Sequence, residues 1–261
     1  MKDLYVISIT IHNSVKPTIC QGIINLQNPF QNPLILLKLP SNMQIEWFGQ
    51  ACLKIQTKPG SNGDVTVIFD PYNPIIGLKM PKLTADILAI THDHKDHNYK
   101  EGVSGDYFLI NGPGEYEAKQ TFVYGIPGWH DEKQGAERGA ITMYLLESEG
   151  MLVAHLGDIG QNELTPTQLE QLEGVDILFI PVGGVYTVDA QKAVNIVNQI
   201  EPRIVIPIHY QLPGLKLSNK LDGVEKFLKA IGAKDPETTD KYKITKKDLP
   251  SEDTKVVVLT A

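Results

Sequence analysis

Short apolar runs separated by glycine, proline and asparagine recur along the chain from Met43 to the C-terminus. The runs richest in valine, isoleucine and leucine are QIEWF, CLKIQT, VTVIFD, ADILAI, TFVYGI, AITMYLL, MLVAHL, VDILFIPV, RIVIPIH and VVVL. Short apolar runs bounded by turn-forming residues predict β-strands. Some of them, such as ADILAI, lack alternation of polar and apolar residues, which is typical of strands that are covered on both faces.

Helical periodicity lies mostly in the second half of the chain. Residues 187–200 and 221–231 each place an apolar stripe on one helical face, and Thr187 or Asp189 can cap the first of these helices. The two stripes consist of Ala190, Ala193, Val194, Val197 and Ile200, and of Leu221, Val224, Phe227, Leu228 and Ile231. The pattern therefore predicts an α/β (α+β) fold, with helices outside and sheets inside.

Residues 1–42 follow a different pattern, since Asn, Gln and Pro interrupt the stretch NLQNPFQNPLILLKLPSN without a sustained period. We interpret them as an N-terminal extension to a domain that spans residues 43–261. The extension is either genuine or the product of an upstream start codon wrongly chosen. The second reading is slightly favoured because Met43 opens the strand-like MQIEWF.

Composition describes an ordinary globular protein. The 261 residues are 42% hydrophobic and 21% charged, which suits one large domain or two small ones. The formal charge of −7 gives no overall basic field, so a dedicated nucleic-acid binder is disfavoured, although a local basic cleft is not excluded. Cys20 and Cys52 form no Cys-x-x-Cys pair, so neither a disulfide framework nor a thiolate zinc site is indicated.

The N-terminus is a poor secretory signal, because Ser8 and Thr10 interrupt its apolar stretch and Asp3 precedes it. No window approaches the roughly 18 consecutive apolar residues that a membrane span requires. The sequence thus predicts a cytoplasmic protein that does not bind membranes. Formation of a homo-oligomer is left open.

Polar residues collect where the predicted strands end. ADILAI leads into THDHKDHN at residues 91–98, TFVYGIPGW leads to His130, MLVAHLG leads to Asp158, and RIVIPI leads to His209. An active site mounted on a rigid sheet requires side chains gathered in this way.

The spacing within residues 92–97 predicts metal ligands. In extended backbone His92 and His94 point to one side and can share a cation, whereas Asp96 and His97 face a second position nearby. Adding His130 to the first pair and His209 to the second leaves each metal an open coordination position. Asp158 would bridge the two cations. Zinc is the first candidate, with manganese or iron(II) as alternatives, since no thiolate chooses among them.

A simpler reading applies to each residue alone. THDHKDHN could be a solvated loop, and an isolated His130 or His209 is more often a hydrogen-bonded core or surface histidine than a ligand. The joint spacing of the set favours a dinuclear centre, in which Asp93 and Lys95 are spacers.

These residues resemble those of the metallo-β-lactamase-fold hydrolases, whose signature is His-x-His-x-Asp-His followed by a distant His, an Asp and a final His. The chain is most similar to the small single-domain branch that includes the L-ascorbate-6-phosphate lactonase. The segments that carry this resemblance are WFGQACLKI at 47–55, IFDPY at 68–72, THDHKDH, GPGEYE at 112–117, HLGDIG at 155–160, PVGGVYT at 181–187 and PIHY at 207–210.

The resemblance implies a four-layer αβ/βα sandwich with the metals at one edge of the paired sheets. It also implies that Asp70 supports a ligand histidine, although Asp70 fits equally well as a turn cap before Pro71. One position departs from the pattern: relatives often have Gly-His-Ser where this chain has Gly49, Gln50 and Ala51.

Other residues are candidates for substrate contact or proton transfer. His155 could protonate a leaving group, but it fits better as a buried strand histidine. Gly183, Gly184 and Tyr186 lie in a loop that could present backbone N–H groups to a substrate or could simply be a turn. Arg138 could bind an anionic group.

The leading hypothesis is a metal-dependent hydrolase. Two cations about 3.5–4 Å apart lower the pKa of a shared water from about 15.7 towards about 7 and supply hydroxide at neutral pH. That hydroxide, oriented by Asp96 and Asp158, would cleave an ester, lactone or phosphodiester bond in a small, possibly anionic, molecule. The alternatives are an RNA- or DNA-processing nuclease, which expects a basic insertion that is not visible, and a non-enzymatic metal-binding module, which predicts lost ligands.

Overall fold

The structure is a computed structural model that describes residues 42–60 and 63–261. The extension expected at residues 1–42 lies outside the described residues except for Asn42. The domain expected at residues 43–261 is described apart from residues 61 and 62.

Within the described ranges the chain forms strands, three α-helices and three short 3-10 helices. The strands are β1 (Met43–Trp47), β2 (Leu53–Thr57), β3 (Val65–Phe69), β4 (Leu83–Thr84), β5 (Ile87–Ala89), β6 (Val103–Ser104), β7 (Phe108–Ile110), β8 (Gly114–Ala118), β9 (Thr121–Trp129), β10 (Ala140–Ser148), β11 (Met151–His155), β12 (Ile177–Pro181), β13 (Ile204–Ile208), β14 (Glu237–Thr239), β15 (Lys241–Ile244) and β16 (Lys255–Leu259). The α-helices are α1 (Pro166–Gln171), α2 (Ala190–Ile200) and α3 (Val224–Ile231), and the 3-10 helices are Pro74–Ile76, Lys100–Gly102 and Lys246–Asp248.

The strands build two large sheets and a small ribbon. The first sheet has the order β15-β1-β2-β3-β5-β7, the second has the order β14-β16-β13-β12-β11-β10-β9-β8, and β4 pairs with β6. In the first sheet β3, β5 and β7 run parallel, whereas β1 is antiparallel to both of its neighbours. In the second sheet β8 to β11 are antiparallel and β11, β12, β13, β16 and β14 are parallel.

Side-chain alternation in the first sheet explains how both of its faces are buried. Val67, Phe69 and Ala89 belong to the main core cluster, which also contains the inner residues of the second sheet. Ile68 and Leu88, which point to the opposite face, pack in a smaller cluster under 3-10 helices, loops and the β4–β6 ribbon. The main core therefore lies between the two sheets.

The parallel part of the second sheet is connected by helices, as parallel strands require. Helix α1 joins β11 to β12, and α2 joins β12 to β13. Every residue of β12 and β13 is buried, as expected for strands covered by a sheet on one face and by helices on the other. Asp189 caps α2 by accepting hydrogen bonds from the N–H groups of Gln191 and Lys192, both at 3.0 Å.

The predicted α/β fold class, with sheets inside and helices outside, is confirmed. All the apolar runs singled out in the sequence contain strands, and the two predicted helices begin at Ala190 and Val224. The sequence analysis missed α1, the hairpin strand β8 and several short strands. No helix within the part of the chain that the structure describes is long and apolar enough to cross a membrane.

Candidate metal centre

The segment THDHKDHN follows strand β5 and forms tight turns rather than extended backbone. The N–H groups of His97 and Asn98 both donate to the carbonyl of His94, at 2.9 Å each. The carbonyl of Thr91 accepts from the N–H of Thr142 at 2.8 Å, which ties the segment to the second sheet. The ligand atoms of His92 and His94 do lie close together, but a turn brings them there. The premise of extended backbone was wrong.

Three histidines make up the first group of the site, which we call the open group: His92, His94 and His130. Their ligand atoms lie within 4.8 Å of one another. His92 Nε2 lies 2.9 Å from His94 Nδ1, and His130 follows the end of strand β9. His94 is exposed, whereas His130 is buried.

Asp96, His97 and His209 make up the second group, which we call the closed group. Their ligand atoms also lie within 4.8 Å of one another, and His97 and His209 are both fully buried. His209 follows strand β13 with a φ of 52°, a left-handed backbone that turns the residue away from the strand. The imidazole rings of His97 and His209 are stacked with centroids 5.6 Å apart.

Asp158 lies between the two groups, in the loop that follows strand β11. Its Oδ2 is 3.2 Å from His97 Nε2 and 3.3 Å from His209 Nε2 in the closed group. The same oxygen is 3.5 Å from His130 Nε2 and 4.0 Å from His92 Nε2 in the open group. One carboxylate oxygen is thus within reach of both positions.

Gly157, just before Asp158, allows this loop to approach closely. Its φ is 55°, and a Cβ there would lie 2.9 Å from Thr91 Cβ and Cγ2. A larger residue would therefore push the Asp158 loop away from the histidine segment.

A hydrogen-bonded chain beneath the cluster fixes two of the histidines. Asp70, fully buried, accepts from Thr91 Oγ1 at 2.6 Å and from the Thr91 N–H at 2.8 Å, and its Oδ2 lies 2.9 Å from His97 Nδ1. Because Thr91 Oγ1 donates to Asp70, it accepts from His92 Nδ1, at 2.9 Å. Both imidazoles consequently carry a proton on Nδ1 and turn the Nε2 lone pair towards the cluster.

Gln50 also reaches the cluster, at the position where relatives often have histidine. Its side chain is fully buried, with Nε2 3.0 Å from Asp96 Oδ2 and 3.1 Å from His209 Nε2. Its backbone carbonyl accepts from Trp47 Nε1 and from the His209 N–H, at 2.8 and 3.0 Å. Sequence analysis flagged this position but assigned Gln50 no role.

Burial and mutual charge shift the pKa values within the cluster. Burial, reinforced by the nearby His97, lowers the pKa of His92 to about 2, although the Asp158 carboxylate opposes this shift. Burial opposes protonation of His97 as well, but the Asp158 and Asp96 carboxylates outweigh it and raise its pKa well above the ordinary value. Burial opposes ionisation of Asp158, yet His209 and His97 hold the pKa of that carboxyl far below its usual range.

The donor set fits bound divalent cations. His97 Nε2 and Asp158 Oδ1 are buried and have no hydrogen-bond partner among residues 42–60 and 63–261. Buried polar atoms without partners are costly, and a cation would satisfy them. Imidazole nitrogens with carboxylate oxygens suit zinc, manganese or iron(II).

A pocket of about 350 Å³ lies beside the open group, with His130 in its wall. The buried Asp131 shapes one side, because its carboxylate accepts four backbone N–H groups, those of Lys133, Gly135, Glu137 and Arg138. Arg138 Nη2 donates to the Val185 carbonyl at 3.2 Å, and its guanidinium carbon lies 5.8 Å from the centre of the Tyr186 ring.

Val185 holds the other side of this pocket in a strained turn. Its φ is 64°, and the Tyr186 N–H donates across it to the Gly184 carbonyl at 2.7 Å, which makes a γ-turn of the rare, positive-φ kind. A β-branched residue rarely adopts this conformation. Nothing in the sequence signals this turn.

Three candidates from the sequence analysis have structural roles instead. His155 is buried, lies 2.9 Å through Nε2 from the Ala51 carbonyl and accepts at Nδ1 from the Gly157 N–H at 2.9 Å, so it has no free nitrogen for proton transfer. The Gly184 N–H donates to the Val188 carbonyl within its own loop. A Cβ on Gly183 would lie 2.2 Å from the His209 carbonyl oxygen, so Gly183 lets that strand approach. These contacts favour the buried strand histidine expected for His155 and the turn expected for Gly183 and Gly184.

Comparison with known proteins places the similarity over the same residues. A family model described as a beta-lactamase superfamily domain matches residues 44–209, a range that contains the whole cluster. A UPF0173 protein of Pyrococcus abyssi is 33% identical over 189 residues, which cover 64% of this chain and 83% of the relative. A protein of Natranaerobius thermophilus named UPF0173 metal-dependent hydrolase is 26% identical over 195 residues, with the same coverage of 64% and 83%.

One solved structure is similar to this chain in both fold and sequence. It is a Thermotoga maritima protein assigned to the Zn-dependent hydrolases of the metallo-beta-lactamase superfamily, with 31% identity and a TM-score of 0.66. The match covers 83% of this chain and 98% of that protein. The similarity thus extends over nearly the full length of a solved relative.

Proposed function

This chain belongs to the β-lactamase superfamily and is a metal-dependent hydrolase, and we propose that its centre holds two divalent cations and cleaves a small anionic ester, lactone or phosphodiester. One observation carries the proposal: the open and closed groups share Asp158 Oδ2, which lies 3.2–4.0 Å from four imidazole nitrogens. A solvated loop would not converge on one buried carboxylate in this way.

Seven residues would hold the cations. His92, His94 and His130 would hold the first, Asp96, His97 and His209 the second, and Asp158 would bridge them. Zinc is the first candidate, with manganese or iron(II) as alternatives. Bound cations would supply an acidified water as nucleophile and would polarise the substrate oxygen.

The chain's own residues would position the reactants. Asp158 and Asp96 would orient the attacking water by accepting hydrogen bonds from it. Asp158 Oδ1 is buried without a hydrogen-bond partner in the described part of the chain. Asp70 and Thr91 would keep the Nε2 atoms of His97 and His92 directed at the cluster.

The pocket beside His130 supports a small substrate with an anionic group. Its volume of about 350 Å³ is at the lower end for small-molecule sites. The Arg138 guanidinium lines it, held between the Val185 carbonyl and the Tyr186 ring, and can bind a carboxylate or phosphate. The exposed Val185 side chain adds an apolar surface next to this charge.

The nuclease alternative finds less support in this pocket. Its basic side chains Lys133 and Lys192 are paired with Glu137 and Glu132 rather than forming a positive groove. A nuclease would require an unpaired basic surface along which a backbone could run.

The test combines metal analysis with a substrate panel. The purified protein should contain close to two transition-metal ions per chain, and chelation should abolish activity that added zinc or manganese restores. Chromogenic phosphodiester, lactone, thioester and β-lactam substrates, each in an anionic and a neutral form, would then identify the bond. Absence of stoichiometric metal together with no activity on metal addition would overturn the proposal, and faster cleavage of RNA than of small substrates would favour the nuclease.

A further inference from the structure

We propose that Gln50 is a further ligand of the centre, whose side-chain carbonyl oxygen binds the cation held by the closed group. The inference rests on the proposed two-cation centre, and it concerns a residue outside the seven already assigned. The Gln50 amide is buried against two members of the closed group, Asp96 and His209.

The distances place the end of the Gln50 side chain at a coordination position. Asp96 Oδ2 and His209 Nε2 are 3.9 Å apart, so a cation in contact with both at roughly 2.0–2.2 Å would lie within about 1 Å of their midpoint. The terminal Gln50 atom is 3.0 Å from the first and 3.1 Å from the second. The triangle of these three distances puts that atom about 2.3 Å from the midpoint, which is close to a metal–oxygen bond length.

The orientation of the amide reverses when a cation is present. In the structure Nε2 faces Asp96 and His209, and Oε1 is buried with no hydrogen-bond partner among the described residues. Since the oxygen and nitrogen of an amide exchange places by a half-turn of the side chain, Oε1 can occupy the position near the two ligands. Before the half-turn the amide N–H competes for the lone pair of His209 Nε2. After it, the amide oxygen faces the cation and binds it.

Hydrogen bonds fix the backbone conformation of Gln50. Its φ of 48° lies in the left-handed region, which non-glycine residues seldom adopt. Hydrogen bonds from Trp47 and from His209 to its carbonyl keep that conformation, so the residue is tied directly to a member of the closed group. These contacts fix the Gln50 backbone beside the closed group, from which its side chain reaches Asp96 and His209.

The consequence is a closed group rich in oxygen donors. Asp96, Asp158 and Gln50 would supply three oxygens, and His97 and His209 would supply two nitrogens. This set favours a cation that accepts five or six ligands, such as manganese or iron(II), more than the open group does, where three histidines would be joined by the shared Asp158 alone. The two positions should accordingly differ in metal preference.

Cobalt(II) binding to the whole protein tests the inference. Metal-free wild type, Gln50→Ala and Gln50→Glu are titrated with cobalt(II) against a chromogenic chelator, and the visible absorption of the bound ion is recorded. Gln50→Ala should lower the affinity for one of the two cobalt ions by about 10–100-fold and leave the affinity for the other unchanged. The absorption should intensify, because the affected ion loses a ligand. Gln50→Glu should restore the binding, since a carboxylate oxygen reaches the same place.

Gln168→Ala is the matched control, because Gln168 is also a buried glutamine whose amide is hydrogen-bonded, to Gln161 and the Pro127 carbonyl. Thermal unfolding of the metal-free proteins checks that each variant folds. Wild-type affinities and an unchanged spectrum in Gln50→Ala would overturn the inference, as would equal weakening of both ions. Fewer than two bound ions in the wild type would instead overturn the two-cation centre on which the inference rests.

Discussion

The open and closed groups are built from similar residues but differ in what surrounds them. In the open group the rings of His92, His94 and His130 pack against one another, with centroids 4.5–5.1 Å apart, and His94 is exposed. In the closed group His97 contacts Asp70, Asp96 and Asp158 and is fully buried. In the proposed two-cation centre, this difference means that the closed group would retain its cation and the open group would present its cation to substrate.

Removal of Asp158 should have the largest effect, because both groups depend on it. We expect Asp158→Ala to lower kcat/KM by on the order of 10³-fold and to reduce the content of both metals. His94→Ala should remove only the open-group metal. Metal content per chain and kcat/KM measure both effects.

Asp93→Ala is the control within the same segment, since Asp93 is exposed and its carboxylate accepts a hydrogen bond from Asn98. Its activity should equal that of the wild type. Full retention of both metals in Asp158→Ala would contradict the shared carboxylate.

Acid should release the closed-group cation. Because the folded-state pKa of His97 is raised, its proton stabilises the metal-free protein fully below the unfolded value of about 6.5, and this contribution is lost as pH rises through the raised pKa. Bound metal competes with that proton, so its affinity should fall by about tenfold for each pH unit below the raised pKa. The difference in Tm between metal-loaded and metal-free protein should therefore grow from pH 6 to pH 8.

Chelator competition across that pH range measures the affinity directly. The open group offers a contrast, since the pKa values of His92 and His130 are both lowered, and protons therefore compete less with a metal at these two nitrogens near neutrality. Equal pH dependence of both metal affinities would contradict the distinction between the groups.

Asp70→Asn should weaken the closed-group cation more than the open-group cation. Asp70 contacts His97 directly but reaches His92 only through Thr91. Loss of such a carboxylate costs about 10–100-fold in metal affinity or activity. Thr91→Val should reverse the preference, because it removes the hydroxyl that orients His92.

Asp86→Asn serves as the comparison, since Asp86 also accepts a backbone N–H but lies at the far end of strand β5. It should change stability without changing either metal affinity. Identical metal affinities in Asp70→Asn and the wild type would refute the orienting role.

Substitution of Arg138 should have the smallest effect and should be confined to substrate binding. We expect Arg138→Ala to raise KM for anionic substrates by roughly tenfold with little change in kcat, because the substrate loses one charged hydrogen bond. Arg138→Lys should recover part of this, and Arg203→Ala, a substitution at an arginine remote from the pocket, should have no effect. An equal rise in KM for neutral substrates would argue against anion binding.

Much of this centre was predictable because its residues follow strands that the apolar pattern reveals. The segment at 91–98, with His130, Asp158 and His209, stands at the ends of predicted strands, and the chain folds so that these ends meet. Strands such as β12 and β13 were also evident, since every residue in them is apolar and buried.

The remainder depends on contacts between segments that are distant in sequence. Gln50 reaches Asp96 across 46 residues, and the Val185 turn has no local signal, because a β-branched residue in left-handed backbone contradicts its own preference. His155 agrees with the reading that the sequence favoured, since its place at the end of an apolar strand predicted a buried histidine and both of its nitrogens are hydrogen-bonded.

The position of Thr91 between the two sheets has a consequence for folding kinetics. The histidine segment belongs to the first sheet, whereas His130, Asp158 and His209 belong to the second, and the Thr142 N–H to Thr91 carbonyl hydrogen bond joins them. Tight cation uptake by either group therefore has to wait until the two sheets have docked. In a refolding experiment, a metal-sensitive dye would report the rate of metal uptake. That rate would measure the docking of the two sheets separately from the formation of the strands themselves.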